Sequence, residues 1–142
     1  MIHLHFIGIG GIGMSGLAAM CADSGYRVTG SDRGADRPEN RRIIDALELQ
    51  GITIYPQDGS GVRASRPDFL VYSTAIEEDN PDFLAGEGIP RLHRSELLER
   101  VIGESHFNCT IAVTGSCGKS TVTAYLAETL TNLGADPACL DG

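Results

Sequence analysis

The chain has 142 residues, 42% of them hydrophobic and 21% charged, and a formal net charge of −8. That length suits one domain, or one domain and part of another, and the composition excludes a disordered chain. No apolar run approaches the ~20 residues that span a bilayer, no basic region precedes the first glycine motif as a secretory signal would require, and no cationic block offers a face to nucleic acid.

Residues 2–7 read as an apolar strand, after which Met14, Leu17, Ala18 and Cys21 recur at helical spacing until Gly25. A second strand is expected over 26–30, then a polar loop over 31–40. Ile43, Ile44 and Leu47 mark a second helix closed by Gly51. A short third strand follows at 52–55. The fourth, at 68–73, holds Phe69, Leu70, Val71 and Tyr72 in one run, as in a parallel strand buried on both faces. A short helix over 81–88, a short strand over 89–92 and an amphipathic helix with Leu97, Leu98, Val101 and Ile102 complete the first part. A polar linker is expected at 105–108. Beyond it come a strand at 109–114, a glycine loop, and a helix with Val122, Leu126, Leu130 and Leu133, ended by Gly134 and Pro137.

This alternation predicts an α/β fold. Residues 1–104 would form a Rossmann-like parallel sheet with flanking helices. Residues 109–142 would be a strand–P-loop–helix fragment opening a second α/β domain. Cys21, Cys109, Cys117 and Cys139 form no Cys-x-x-Cys pair, and free thiols in a reducing cytosol are expected. His3, His5, His93 and His106 are scattered. His3 and His5 could share a face of the first strand, but no further ligand accompanies them, so no metal is expected there.

The first glycine run is Gly8-Ile9-Gly10-Gly11-Ile12-Gly13-Met14-Ser15-Gly16, between a strand and a helix. In that context Gly8 permits the tight turn, Gly10 lets backbone approach a pyrophosphate, and Gly13 lets helix and strand pack closely. The start of the helix then offers N–H groups and partial positive charge to phosphate. Asp32 ends the second strand 19 residues after Gly13, where such folds place an acid for a ribose. A nucleotide carrying a diphosphate fits, as a dinucleotide or as a sugar nucleotide.

The second run is Gly115-Ser116-Cys117-Gly118-Lys119-Ser120-Thr121. Its amides would wrap the β-phosphate of ATP, Lys119 would reach the β and γ oxygens, and Ser120 would offer a hydroxyl to Mg2+. Val113 stands where the strict motif has its first glycine, so the match is to a shorter variant. Cys117 reads as a small side chain that fits the loop.

The order of these motifs resembles the Mur ligase family: the first glycine run, Gly30-Ser31-Asp32, Ser73-Thr74-Ala75-Ile76, Asp79-Asn80-Pro81, Arg94-Ser95-Glu96-Leu97-Leu98, and Ile111-Ala112-Val113-Thr114-Gly115. The resemblance covers essentially the whole chain. It implies a cytoplasmic, ATP-dependent, ADP-forming carboxylate–amine ligase of cell-wall precursor synthesis, with UDP-N-acetylmuramate, L-alanine and ATP as partners and Mg2+ as cofactor. Gly8, Gly10, Gly11, Ile12, Gly13, Met14 and Ser15 would hold the UDP-sugar, with the amides of Gly10 to Gly13 on its diphosphate. Asp32 would lie near the uridine, and Ser73, Thr74 and Ala75 would line the opposite wall. Gly115, Ser116, Cys117, Gly118, Lys119, Ser120 and Thr121 would hold ATP, with Lys119 and Ser120 catalytic and Ser120 also a magnesium ligand. The family loop usually reads Gly-Thr-His-Gly-Lys-Thr-Thr; here Ser116, Cys117 and Ser120 stand in for Thr, His and Thr.

The chain stops after one strand and one helix of the second unit, so no turnover is expected from it alone. The stripe Val122, Leu126, Leu130 and Leu133 is expected to pack on the first domain or on a second copy of the chain. Two other readings fit part of the pattern. One is an NAD-dependent oxidoreductase, which leaves the second loop unexplained and has no catalytic His or Tyr pair. The other is a non-catalytic UDP-sugar-binding or regulatory module.

Overall fold

A computed structural model describes residues 1–104 and 109–140. The expected linker at 105–108 lies outside the described residues.

Five parallel strands form the sheet: β1 (His3–Ile7), β2 (Arg27–Asp32), β3 (Thr53–Pro56), β4 (Phe69–Tyr72) and β5 (Arg91–His93). Their spatial order is β3-β2-β1-β4-β5. The connections run outward from β1 through β2 to β3, then return to the other side of β1 for β4 and β5, so the order reverses between β1 and β4. Helices α1 (Ile12–Asp23), α2 (Arg41–Leu49) and α5 (Arg94–Glu104) cover one face, and α3 (Ser60–Ser65) and α4 (Pro81–Ala85) the other.

Alternation along β1 divides the core. Leu4 and Phe6 point into the larger cluster with Leu17, Val71, Leu97 and Val101, while Ile7 joins Val62, Leu70 and Phe83 on the other face. The stripe predicted for α1 is real: Met14, Leu17, Ala18 and Cys21 are all buried. Gly25 and Gly51 close α1 and α2 as expected. In each case the amide beyond the glycine reaches back to the helix, Tyr26 to the Cys21 carbonyl and Ile52 to that of Leu47, both terminal Schellman bonds.

Polar residues on the α3 side of β1 are also accommodated. His3 and His5 do share a face, and they meet on a hydroxyl: His3 Nε2 and His5 Nδ1 lie 3.0 and 2.9 Å from Thr29 Oγ1. Burial, and next the neighbouring His3, push the His5 pKa down to about 4.

Three expectations need correction. Strand β2 runs through Ser31 and Asp32, so the polar loop starts later than expected. Helix α3 was not expected from the sequence; it spans six residues and buries one large apolar side chain, Val62. Residues 109–114 form no strand, because no described strand lies beside them to supply hydrogen bonds.

Helix α6 (Lys119–Asn132) forms where periodicity predicts it, but none of its residues is buried. Val122 is 48% exposed and Leu133, at the helix end, 77%. The expected cover on the first unit is therefore not provided by the helix. Leu140 packs there instead, against the side of α1 left bare by Gly16.

Candidate nucleotide-binding crevice

The loop after β1 is fixed from three directions. The Gly8 and Ile9 amides both donate to the Ser31 carbonyl, at 2.8 and 3.0 Å, tying the turn to β2. Gly8 takes φ +76, and Ile76 from the far side of the crevice covers it so closely that a Cβ would sit 3.2 Å from the Ile76 methyl. Ile9 is fully buried, in space that the missing side chain of Gly30 provides.

Asp32 supplies the third anchor. Its Oδ2 accepts from the Gly10 amide at 2.8 Å and its Oδ1 from the Gly34 amide at 2.7 Å. The residue stands where the sequence reading placed an acid, but both carboxylate oxygens brace backbone. Its established contacts are to the loop, because amides within hydrogen-bond reach of a carboxylate form strong charge-assisted bonds.

The count of amides open to phosphate changes accordingly. Gly10 donates to Asp32, and Gly11 to the Gly8 carbonyl at 3.2 Å. Met14 and Ser15 donate to the Gly11 carbonyl at 3.0 and 2.8 Å. The amides of Ile12 and Gly13, in the first turn of α1, have no acceptor among the described residues. Two open donors remain of the four expected from Gly10 to Gly13, because Asp32 takes the Gly10 amide and the turn itself takes that of Gly11. Met14 is a core residue, and Ser15 Oγ donates to the Ile12 carbonyl at 2.9 Å.

Ser73, Thr74 and Ala75 follow β4, which lies beside β1. They form a turn in which the Ile76 amide donates to the Ser73 carbonyl at 3.1 Å, and the Ala75 amide to Ser73 Oγ at 3.4 Å. The glycine loop and this turn therefore face each other at the carboxyl edge of adjacent strands, where the strand order reverses. Open α/β sheets bind their ligands at that point. A hollow of about 370 Å³ adjoins the loop on the β2–β3 side, lined by Asp32, Arg33, Ala35, Ile44, Ile54 and Tyr55, among others. A larger cleft of about 870 Å³ lies by Ile2, Tyr26 and Glu104, near the amino end of the sheet, along the side of α1 that carries Gly16, Ala19 and Met20.

Sequence reasoning missed one residue behind this edge. Asp82 is fully buried; it accepts a short bond from Ser31 Oγ and one of 2.8 Å from the Gly59 amide. Burial holds its carboxyl above the ordinary range. Asn80 caps α4 by accepting from the Asp82 amide at 3.0 Å. This network ties the end of β2 to the starts of α3 and α4. Asn80-Pro81 was a visible helix-start signal, but nothing in sequence separates a buried Asp82 from a surface acid.

The second loop is built differently. Gly118 caps α6 with φ +76, a conformation that disfavours any side chain. Ser116, Cys117, Lys119, Ser120 and Thr121 are all exposed. Lys119 Nζ curls back to donate to the Gly115 carbonyl at 3.0 Å, which keeps the ammonium over its own loop. The donor set fits a magnesium nucleotide: an ammonium at the loop, exposed backbone at 116–118, and the Ser120 hydroxyl as one ligand. Magnesium prefers six oxygens, so Ser120 would supply one corner only.

Residues 3–106 match the Mur ligase family, catalytic domain. The chain is 40% identical to the UDP-N-acetylmuramate–L-alanine ligase of Carboxydothermus hydrogenoformans, over 100% of this chain and 29% of that protein. Among solved structures it resembles the UDP-N-acetylmuramate–alanine ligase of Thermotoga maritima, with a TM-score of 0.81 and 31% identity over 94% of this chain and 30% of that one. It also resembles a murein peptide ligase of Psychrobacter arcticus, with a TM-score of 0.78 and 30% identity over 94% of this chain and 27% of that one. The chain thus spans under a third of the length of each of these three proteins.

Proposed function

The chain belongs to the Mur ligase family, and from that premise we propose that it carries the UDP-sugar grip and the opening of the ATP grip of a UDP-N-acetylmuramate–L-alanine ligase. The observation that carries this reading is the pair of open amides at Ile12 and Gly13, facing residues 73–75 across the strand-order reversal. They would receive the diphosphate. The uridine would occupy the adjoining hollow, with Asp32 beside it as the brace of the loop. Ser73, Thr74 and Ala75 would form the far wall.

In such a ligase a carboxylate must be made electrophilic. ATP transfers its γ-phosphoryl group to the carboxylate oxygen and leaves as ADP. The amine of L-alanine then attacks the acyl phosphate, the amide forms, phosphate departs and a proton is lost from nitrogen. Gly115 to Thr121 would hold ATP, with Lys119 neutralising the γ-phosphate oxygens and Ser120 a magnesium ligand. Magnesium, when bound, supplies further charge neutralisation. The proposed division is residues 1–104 for the sugar nucleotide and 109–142 for the start of the ATP-binding unit, joined by 105–108. No described helix is long and apolar enough to cross a membrane, and a cytoplasmic location is proposed.

Calorimetry tests the reading. UDP-N-acetylmuramate should bind the chain, Mg-ATP should bind more weakly, and NAD should not bind. Equal affinity for NAD and the UDP-sugar would reject the assignment. No phosphate release is expected from the chain with UDP-N-acetylmuramate, L-alanine and ATP together.

A further inference from the structure

The glycine loop is gripped from both sides by consecutive pairs of residues. On one side Asp32 holds the Gly10 amide, and the next residue is Arg33. On the other, Ile76 covers Gly8, and the next residue is Glu77. These successors meet: Arg33 Nη1 lies 3.8 Å from a Glu77 carboxylate oxygen. Because β2 and β4 flank β1, a link between the segments following them must cross the carboxyl end of β1. The contacts therefore close a ring, from Gly8 through Ile76 and Glu77 to Arg33 and Asp32 and back to Gly10.

Two features make the ion pair easy to exchange. The side chains are 59% and 71% exposed, so water already screens their attraction. At 3.8 Å the contact is loose and lacks the geometry of a charge-assisted hydrogen bond. The surroundings also call for a cation. Glu77, Glu78 and Asp79 follow one wall, and the chain carries a formal charge of −8. Glu78 is occupied by Arg91 at 2.7 Å, whereas Arg33 projects from the segment directly beside the glycine loop.

We propose that Arg33 and Glu77 form an exchangeable strap over the glycine loop, and that the paired phosphates of the incoming nucleotide take Arg33 from Glu77. The proposal rests on the reading of the crevice as a diphosphate site. Arg33 is then a substrate-positioning residue whose guanidinium complements the two open amides, and Glu77 is the counter-ion that holds it in place when no ligand is bound.

Calorimetric titration of the full chain separates the roles. Arg33→Gln should weaken UDP-N-acetylmuramate by about tenfold or more, the loss expected when a charged hydrogen-bond donor is removed, and should leave the affinity for uridine, which has no phosphate, unchanged. Arg33→Lys should restore most of the affinity. Glu77→Gln should bind as well as the parent or better, because a competitor for Arg33 is gone. All are surface changes, and thermal melting checks that each variant folds. If the parent binds the UDP-sugar and Arg33→Gln binds it equally, the strap is an incidental ion pair. If Glu77→Gln weakens binding as much as Arg33→Gln, the pair is a fixed brace. If the parent takes up no UDP-sugar, the reading of the crevice itself fails, and the strap with it.

Discussion

Two glycine loops on one chain each open a helix, Gly11 entering α1 extended at φ −64 and Gly118 entering α6 left-handed at φ +76, and their support differs as much. The first follows a strand paired on both sides, and its helix buries four apolar residues. Asp32 and Ser31 of β2, and Ile76 from the turn after β4, hold it in place. The second follows residues with no strand partner and opens a helix that buries nothing, and its main internal contact is its own Lys119 on Gly115. A glycine pattern thus specifies the turn, but the precision with which amides are aimed comes from the layers behind it.

The largest effect that would sharpen this contrast is on stability. Phe6→Ala, which empties the centre of the sheet, should cost ~3–5 kcal/mol in urea unfolding, and Leu126→Ala in α6 less than ~0.5 kcal/mol. Equal losses would show that α6 is packed as firmly as the sheet.

Acid should separate the regions next. His5 has a folded-state pKa of about 4, below its ordinary 6.5. The unfolded chain therefore binds the proton first, and the stability due to neutral His5 is complete above about pH 6.5 and lost progressively as pH falls toward 4. Lowering the pH from 7 to 4.5 should cost on the order of 2 kcal/mol through this group, and His5→Gln should flatten that slope. Hydrogen exchange over 119–132 should show no matching pH step beyond the intrinsic exchange chemistry. An unchanged slope in the variant would remove His5 as the cause.

The loop brace comes third. Asp32→Asn takes a charged acceptor from the Gly10 and Gly34 amides and should cost ~1–2 kcal/mol while weakening UDP-sugar binding. Lys119→Met should leave stability within ~0.5 kcal/mol, because its bond lies on the surface. The smallest effect is chemical. Cys109, Cys117 and Cys139 are exposed and should react with a thiol reagent in the native chain. Cys21 is buried, its pKa pushed up to about 12 by desolvation, and should react only on unfolding. Four fast thiols would mean that α1 opens readily.

Much of the fold was legible because burial writes itself into sequence. The run Phe69 to Tyr72 gave β4, the spacing of Met14 to Cys21 gave α1, and Gly25 and Gly51 gave two helix ends. Helix α3 escaped because six residues with one buried large side chain carry no period. Residues 109–114 look like a strand by composition, but a strand depends on its neighbours. In the site, Asp32 was legible as a position but not as a role. Whether a carboxylate faces a ribose or its own backbone depends on angles that spacing does not encode. The Asp82 network was invisible for the same reason.

The hydroxyl shared by His3 and His5 couples the hydrogens of the two rings. Thr29 Oγ1 has one proton to give and lies within bonding reach of His3 Nε2 and His5 Nδ1. It can donate to one ring only, so the other ring must present an N–H to it. The tautomer of one imidazole therefore sets that of the other, and a single threonine proton stands between them.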